Sequence, residues 1–354
     1  MKKIPVLILG VGGVGRALLR QIVASRAVVA GRANSHFQIL GLVDSRGWRW
    51  QQDGLTDNEL IDILAAKEQG SAVGPEQKSA AEALDHFNQR CGWPGLVVDV
   101  TAAGGMEAVV DRALEVGHGV VLANKKPLAG PWEQAKRYYH QPYLRHESTV
   151  GGGQPVIATL RYLMDTNDPV ERIEGQLSGT LGYICSRLDE GAPFSTALAE
   201  ARALGYTEPD PREDLGGRDV MRKIMILGRL AGWPLEEADI EVETLYSPSL
   251  AHLPVDEFMG AAVALDPPMR ERVEAAAASD SVLRYTAVVE RGRGSVGLRP
   301  LGRSYPLANL KYISFQTRHY AHQPLMVGGK GAGVEMTAAG VLGDMIGLVR
   351  EVLS

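Results

Sequence analysis

A chain of 354 residues, 45% hydrophobic and 22% charged, has the composition of an ordinary globular protein and exceeds what one hydrophobic core usually fills, which predicts two domains. A net charge of −5 gives no attraction to nucleic acid or to an anionic membrane, and no apolar run approaches the ~18 residues needed to span a bilayer. Two cysteines, Cys91 and Cys185, make no disulfide framework and suit a reducing cytoplasm.

Ile4 to Leu9 is a continuous apolar run, as expected of a parallel strand buried on both faces. Lys2-Lys3 in front of it imitates a signal peptide, but a glycine-rich turn follows at once with no small-residue cleavage pattern. That turn, Gly10-Val11-Gly12-Gly13-Val14-Gly15, leads into a helical pattern in Leu18, Leu19, Ile22 and Val23. Strand, turn and helix in this order make Gly10, Gly12 and Gly15 a dinucleotide fingerprint. Gly10 allows the tight turn, Gly12 lets backbone approach a pyrophosphate, and Gly15 lets helix pack on strand, while the helix N-terminus offers N–H groups to the anion. After an insertion around 25–37, a second strand over 38–43 ends in Asp44. An acid there accepts from the ribose of NAD, whereas Arg46 beside it suits the phosphate of NADP, so the choice stays open. Helices are predicted over 57–69 and 79–88, the latter capped by Ser79.

Leu96 to Val100 is a further buried strand, delivering Asp99, Thr101 and the turn Ala102-Ala103-Gly104-Gly105. A helix follows to Val116, then a strand over 119–122 that ends in Ala123-Asn124-Lys125-Lys126-Pro127. Strand carboxyl ends line the ligand crevice of an open α/β sheet, so Lys125 is either functional or simply solvated charge. A short strand over 143–147 would close the sheet. From Thr149 the pattern changes: a glycine loop, a helix through Leu163, a strand over 170–177, and Ser178-Gly179-Thr180 opening another helix. A helix over 193–204 is ended by Gly205. The next stretch carries Glu208, Asp210, Asp214 and Asp219 in a loop stiffened by Pro209 and Pro211, running into a helix from Arg218. Asp219 and Lys223, four apart, share a face of that helix, and a carboxylate and an amine presented together could hold a small zwitterion and hand it a proton. A hairpin is predicted from 282–290 and 295–301, joined through Gly292 and Gly294, with strands over 312–317 and 325–327. A last glycine loop, 328–333, precedes an amphipathic helix marked by Val341, Leu342, Met345, Ile346 and Val349. The expected fold is therefore α/β: a Rossmann-type doubly wound parallel sheet plus an α+β domain with a mixed sheet. The nucleotide-binding domain spans 1–148, a helix within 333–354 returns to it, and 149–332 form the second domain.

Several of these segments together resemble homoserine dehydrogenase over nearly the whole chain. They are Gly10 to Gly15, Ala123-Asn124-Lys125-Lys126, Glu147 to Pro155, Ser178 to Ile184, Gly205 to Lys223 and Gly329 to Asp344. The resemblance implies the NAD- or NADP-dependent interconversion of L-aspartate 4-semialdehyde and L-homoserine, on the route to threonine, methionine and isoleucine. It implies that Lys223 is the acid–base group and that Lys125 orients substrate beside the nicotinamide, with Glu208, Asp214 and Asp219 holding the substrate. Gly10, Gly12, Gly13, Val14, Gly15, Asp44, Arg46, Thr101, Lys125, Gly205, Gly333 and Glu335 would border the cofactor. A monovalent cation, sodium, would rest on backbone carbonyls at Glu147, Val150, Gly152 and Gln154. It further implies a cytoplasmic homodimer and a short form without a C-terminal regulatory ACT domain. The chemistry agrees: hydride addition to an aldehyde builds charge on oxygen that an ammonium stabilises and then neutralises. Free lysine, with a pKa near ~10.4, needs a neighbouring cation or desolvation to work at neutral pH, and carboxylates pull the other way. Donors for the substrate carboxylate would be Thr180, the backbone over 178–180, or an arginine. Two other readings compete. Aspartate-semialdehyde dehydrogenase needs a cysteine nucleophile with a histidine, which Cys91 in a loop and Cys185 in an apolar helix pattern do not offer. A dinucleotide sensor without turnover would need neither Lys125 nor Lys223. His319 and His322 have too little around them to suggest zinc.

Overall fold

The computed structural model describes residues 2–92 and 94–352, so Met1, Trp93, Leu353 and Ser354 lie outside the described residues. Strands β1 (Lys2–Leu9), β2 (Ser35–Val43), β3 (Trp48–Trp50), β4 (Leu96–Asp99), β5 (Gly119–Leu122) and β6 (Leu144–Arg145) form a sheet in the order β3-β2-β1-β4-β5-β6. β1 pairs in parallel with β2 on one side and β4 on the other, which makes the β1/β4 boundary the switch point of a doubly wound sheet. Ile4 to Leu9 are all buried, as a strand covered on both faces requires. Around this sheet lie α1 (Gly13–Ala33), α2 (Asp57–Glu68), α3 (Ala80–Arg90), α4 (Glu107–Glu115), α5 (Lys126–Ala129), α6 (Trp132–Tyr139) and the start of α7 (Val156–Asp165). Both α2 and α3 begin with reciprocal capping boxes, Thr56 with Glu59 and Ser79 with Glu82.

The second sheet contains β7 (Val170–Gly175), β8 (Ile240–Val242), β9 (Ser281–Glu290), β10 (Arg293–Gly302), β11 (Tyr312–Thr317) and β12 (Leu325–Gly328), in the order β12-β11-β7-β9-β10-β8. It is mixed: β8 and β10 run parallel, and the other neighbours are antiparallel. Its helices are α8 (Gly179–Asp189), α9 (Phe194–Ala203), α10 (Arg212–Leu215), α11 (Arg218–Leu230), α12 (Val255–Ala261), α13 (Asp266–Ala278) and α14 (Pro306–Asn309), of which α8, α11 and α13 pack on β9. The last helix, α15 (Val334–Glu351), packs against α1, and Val341, Met345 and Leu348 join the core under β1 and β2. By contacts the chain divides into two compact units: the described residues up to Ile157 with those from Ala332 onward, and Ala158–Gly331. Among the described residues, no helix is long and apolar enough to cross a membrane.

Three local expectations are corrected. The second strand starts at Ser35, not at 38, because α1 takes up most of the insertion around 25–37, running on to Ala33 and stopping where Asn34 takes the left-handed conformation at φ 47°. The hairpin turns on Arg291 and Gly292, both at positive φ (49° and 79°), as a two-residue turn matching the strand twist demands, and Gly294 lies inside β10 opposite Val289. Within 143–147 only Leu144–Arg145 are strand, and Glu147–Thr149 form a short 3-10 turn.

Candidate active site

In the first unit the glycine turn joins β1 to α1. Gly10 sits at φ +100°, and a Cβ on Gly15 would lie 2.1 Å from the Gly10 carbonyl oxygen, so neither position accepts a side chain. A Cβ on Gly12 would meet nothing within 4 Å, which leaves its backbone open to an approaching ligand. Gly12 caps α1 without any side-chain bond, so the first N–H groups of a long helix have no cap from the N-cap side chain. The turn opens onto a cleft of about 930 Å³ at the carboxyl ends of β1, β2 and β4, lined by Gly10 to Val14, Asp44 to Arg46, Lys67, Lys78 and Thr101 to Ala103. A phosphate-bearing dinucleotide fits this donor set.

Asp44 is not a bare carboxylate. Lys67, from the last turn of α2, donates to its Oδ2 at 2.5 Å, and the Arg46 N–H donates to Oδ1 at 2.8 Å. The lysine and aspartate side chains are only 10% and 8% exposed. Burial penalises the Asp44 charge, yet the Lys67 and backbone hydrogen bonds outweigh it and hold the carboxyl below its usual range. No sequence spacing links Lys67 to Asp44; only the packing of α2 brings it there. Arg46 and Lys78 line the same cleft with Lys67, a cationic wall beside the carboxylates of Asp44 and Glu82.

Asn124 and Lys126 flank Lys125 in the chain. Asn124 is buried and its amide bonds Asp99, Thr101 and Ala103, while Lys126 Nζ donates to the Ala102 carbonyl at 2.6 Å. Lys125 caps α5 at the end of this network. Gly333 caps α15 at φ +111°, and Glu335 in the first turn of α15 receives Gln21 Nε2 at 3.0 Å and Arg20 Nη2 at 3.3 Å. Its carboxylate thus ties α15 to α1 and does not line the cleft. Glu147 Oε1 accepts the Ile157 N–H at 2.7 Å near the start of α7, and Gly151 and Gly152 are consecutive left-handed residues (φ +77° and +62°).

In the second unit, α11 starts at Gly217, at φ +69° in close contact with the Tyr285 ring, and presents Asp219 and Lys223 one turn apart. Lys223 Nζ donates to Asp219 Oδ2 and to the Leu177 carbonyl, both at 2.8 Å, and keeps 19% of its side chain exposed. Asp214 Oδ2 accepts the Glu208 N–H at 2.8 Å, and the Thr180 hydroxyl in the first turn of α8 lies beside this carboxylate and donates to the Tyr206 carbonyl at 2.5 Å. Burial raises the Asp214 pKa, and the neighbouring charges of Asp219 and Glu213 push the same way. Asp214, Asp219, Thr180, Lys223 and the Glu208 backbone are therefore gathered in one place, with Gly205 at φ +69° turning the chain out of α9. Asp210 serves differently. Arg212 forks onto it and donates to the carbonyls of Ala251 and Leu253 at 2.8 and 2.7 Å, bracing the loop. Spacing alone does not separate this structural acid from the others, although the resemblance leaves it out of the substrate set.

His319 Nδ1 pairs with Asp168 at 2.9 Å, and among the described residues no group of three or more His, Cys, Asp or Glu could hold a metal ion. Burial pushes the Cys185 pKa up to about 11, which suits a packed residue and not a nucleophile.

A family model described as homoserine dehydrogenase matches residues 155–346. Baker's yeast (Saccharomyces cerevisiae) homoserine dehydrogenase is 31% identical over 99% of this chain and 99% of its own length. A chloroplastic bifunctional aspartokinase/homoserine dehydrogenase of Zea mays is 38% identical over 96% of this chain, which spans only 38% of that protein. A crystal structure of a Candida auris protein of unknown function superposes with a TM-score of 0.87 at 30% identity, covering 99% of both chains.

Proposed function

This chain belongs to the homoserine dehydrogenase family, and from that membership we propose that it interconverts L-aspartate 4-semialdehyde and L-homoserine with a nicotinamide dinucleotide. The observation that carries this reading is Lys223, held by Asp219 and the Leu177 carbonyl, with the half-buried Asp214 near Asp219. The acids take the substrate ammonium, and the Lys223 ammonium gives its proton to the carbonyl oxygen as charge develops there. A bound dinucleotide supplies hydride. Lys125 orients the substrate.

The cationic wall favours NADP over NAD. Asp44 is already paired with Lys67, and Arg46 and Lys78 add further charge for a ribose phosphate. Residues 147–154 are read as the seat of a monovalent cation on backbone carbonyls of Glu147, Val150, Gly152 and Gln154. Those of Glu147 and Gln154 each accept one backbone N–H, so the ion would use their second lone pairs. We place the protein in the cytoplasm, where its thiols stay reduced, as a homodimer built on the second sheet.

The test is direct. Purified protein incubated with L-homoserine at alkaline pH, with NAD or NADP in separate cuvettes, produces reduced nicotinamide. Lys223→Ala lowers the rate by about 10²- to 10⁴-fold while the dinucleotide Kd holds. Binding of dinucleotide without turnover in the unaltered protein would favour a sensor instead.

A further inference from the structure

One buried carboxylate near the glycine turn has no role in the chemistry above. Asp99, the last residue of β4, is 1% exposed and makes every bond its two oxygens show within the first unit. Thr101 donates to Oδ1 twice, from its N–H at 2.9 Å and its hydroxyl at 2.7 Å. Asn124, at the end of β5, donates from Nδ2 to Oδ2 at 3.0 Å. The same amide donates to the Ala103 carbonyl at 2.9 Å, and its Oδ1 accepts the Lys126 N–H at 3.1 Å. One carboxylate and one carboxamide thus fasten the loop after β4 to the loop after β5. Thr101 lies directly on the glycine turn: a Cβ on Gly10 would be 3.0 Å from its methyl carbon. Thr101 to Ala103 also line the cleft.

We propose that Asp99 is a positioning residue of the dinucleotide cleft, acting through Thr101 and Asn124 to fix the two strand-end loops that carry Thr101 and Lys125. Only an acid serves here. Three N–H or O–H donors converge on the Asp99 oxygens, so an amide at this position must turn a donor toward a donor. The carboxylate is worth burying because every donor aimed at it would otherwise be unmatched. The proposal rests on the dinucleotide reading of the first unit.

Asp99→Asn changes no volume and leaves the Asn124 amide facing another amide nitrogen. Dinucleotide Kd, measured on the full chain by titration calorimetry, then rises on the order of tenfold, the cost of one unmade buried hydrogen bond. Asn124→Asp sets two buried carboxylates against each other and weakens binding further. The reciprocal double variant restores an amide-to-carboxylate bond between positions 99 and 124 and binds more tightly than Asn124→Asp alone, so the two changes are not additive. A purely structural role would lower the melting temperature but leave the Kd of the folded protein where it was. Unchanged affinity in folded Asp99→Asn, or strict additivity, overturns the proposal. Absence of dinucleotide binding in the unaltered protein overturns the cleft reading itself, and the proposal with it.

Discussion

At the scale of single residues, partners decide what an ionisable group does. Lys67 holds Asp44 in an ion pair largely shielded from solvent, so Lys67→Ala should lower the ratio of kcat/KM with NADP to that with NAD by about tenfold. That corresponds to roughly 1.4 kcal/mol, within the range of a charge-assisted bond. Steady-state assays with both cofactors read it, and an unchanged ratio would detach Lys67 from cofactor choice. His118 is a second case. It is fully buried, its Nδ1 accepts the Gly95 N–H at 2.9 Å, and Nε2–H therefore donates to Asn88 Oδ1 at 2.8 Å. Burial lowers its pKa from 6.5 to about 4. As pH falls through that window the unfolded chain binds a proton the folded chain refuses, so stability is lost on acidification, by at most about 3 kcal/mol. Urea midpoints between pH 7 and pH 4 should show this slope, and His118→Gln should flatten it whatever its stability at neutral pH.

Elements matter here mainly as carriers of those residues. α11 is fixed at its first turn by Gly217, which sits at φ +69° and where an added Cβ would lie 2.1 Å from Tyr285 Oη, so no side chain fits. The tyrosine cannot simply rotate away, because its hydroxyl donates to the Glu243 carbonyl at 2.7 Å. Gly217→Ala should cost about 1–3 kcal/mol of stability, and it should lower kcat more than a remote variant of equal melting temperature, because Lys223 rides on the displaced helix. Equal kcat values for the two variants would show that α11 adjusts without moving its lysine. Capping boxes and glycine turns of this kind are local, which is why α3 and the α9 terminus were legible from residue types alone. α1 was not read to its full length, because a propensity pattern cannot say whether Arg26 to Arg32 continue a helix until Asn34 is seen to stop it. No element was predicted over 240–278, where β8, α12 and α13 lie: their buried residues are few, Ile240 in β8, Phe258 in α12, and Met269 and Ala276 in α13, too sparse to set a period.

For the molecule as a whole, the open question is assembly. Strand side chains of the second sheet, among them Arg172, Thr286, Val288 and Arg299, line a groove of about 470 Å³ open to the outside of the chain. If a second copy covers this face, light scattering should give twice the chain mass, and Val288→Glu should shift the protein toward monomer by placing a charge in the interface. A monomer at micromolar concentration in the unaltered protein would remove the dimer from the reading.

Sequence by itself determined what depends on neighbours along the chain. The strand–glycine–helix unit, the pairing of Asp219 with Lys223 one turn apart, the cap of α3 and the two kinds of sheet all follow from spacing, and spacing is a local property. Tertiary structure alone decided which distant groups meet. It placed Lys67 on Asp44, Asp99 on Asn124, Thr180 on Asp214 and Glu335 on α1, and it separated Asp210, braced by Arg212, from the acids gathered near Lys223. Each of those outcomes turns on which charge or donor faces a carboxylate, and that is fixed by packing that no sequence period encodes.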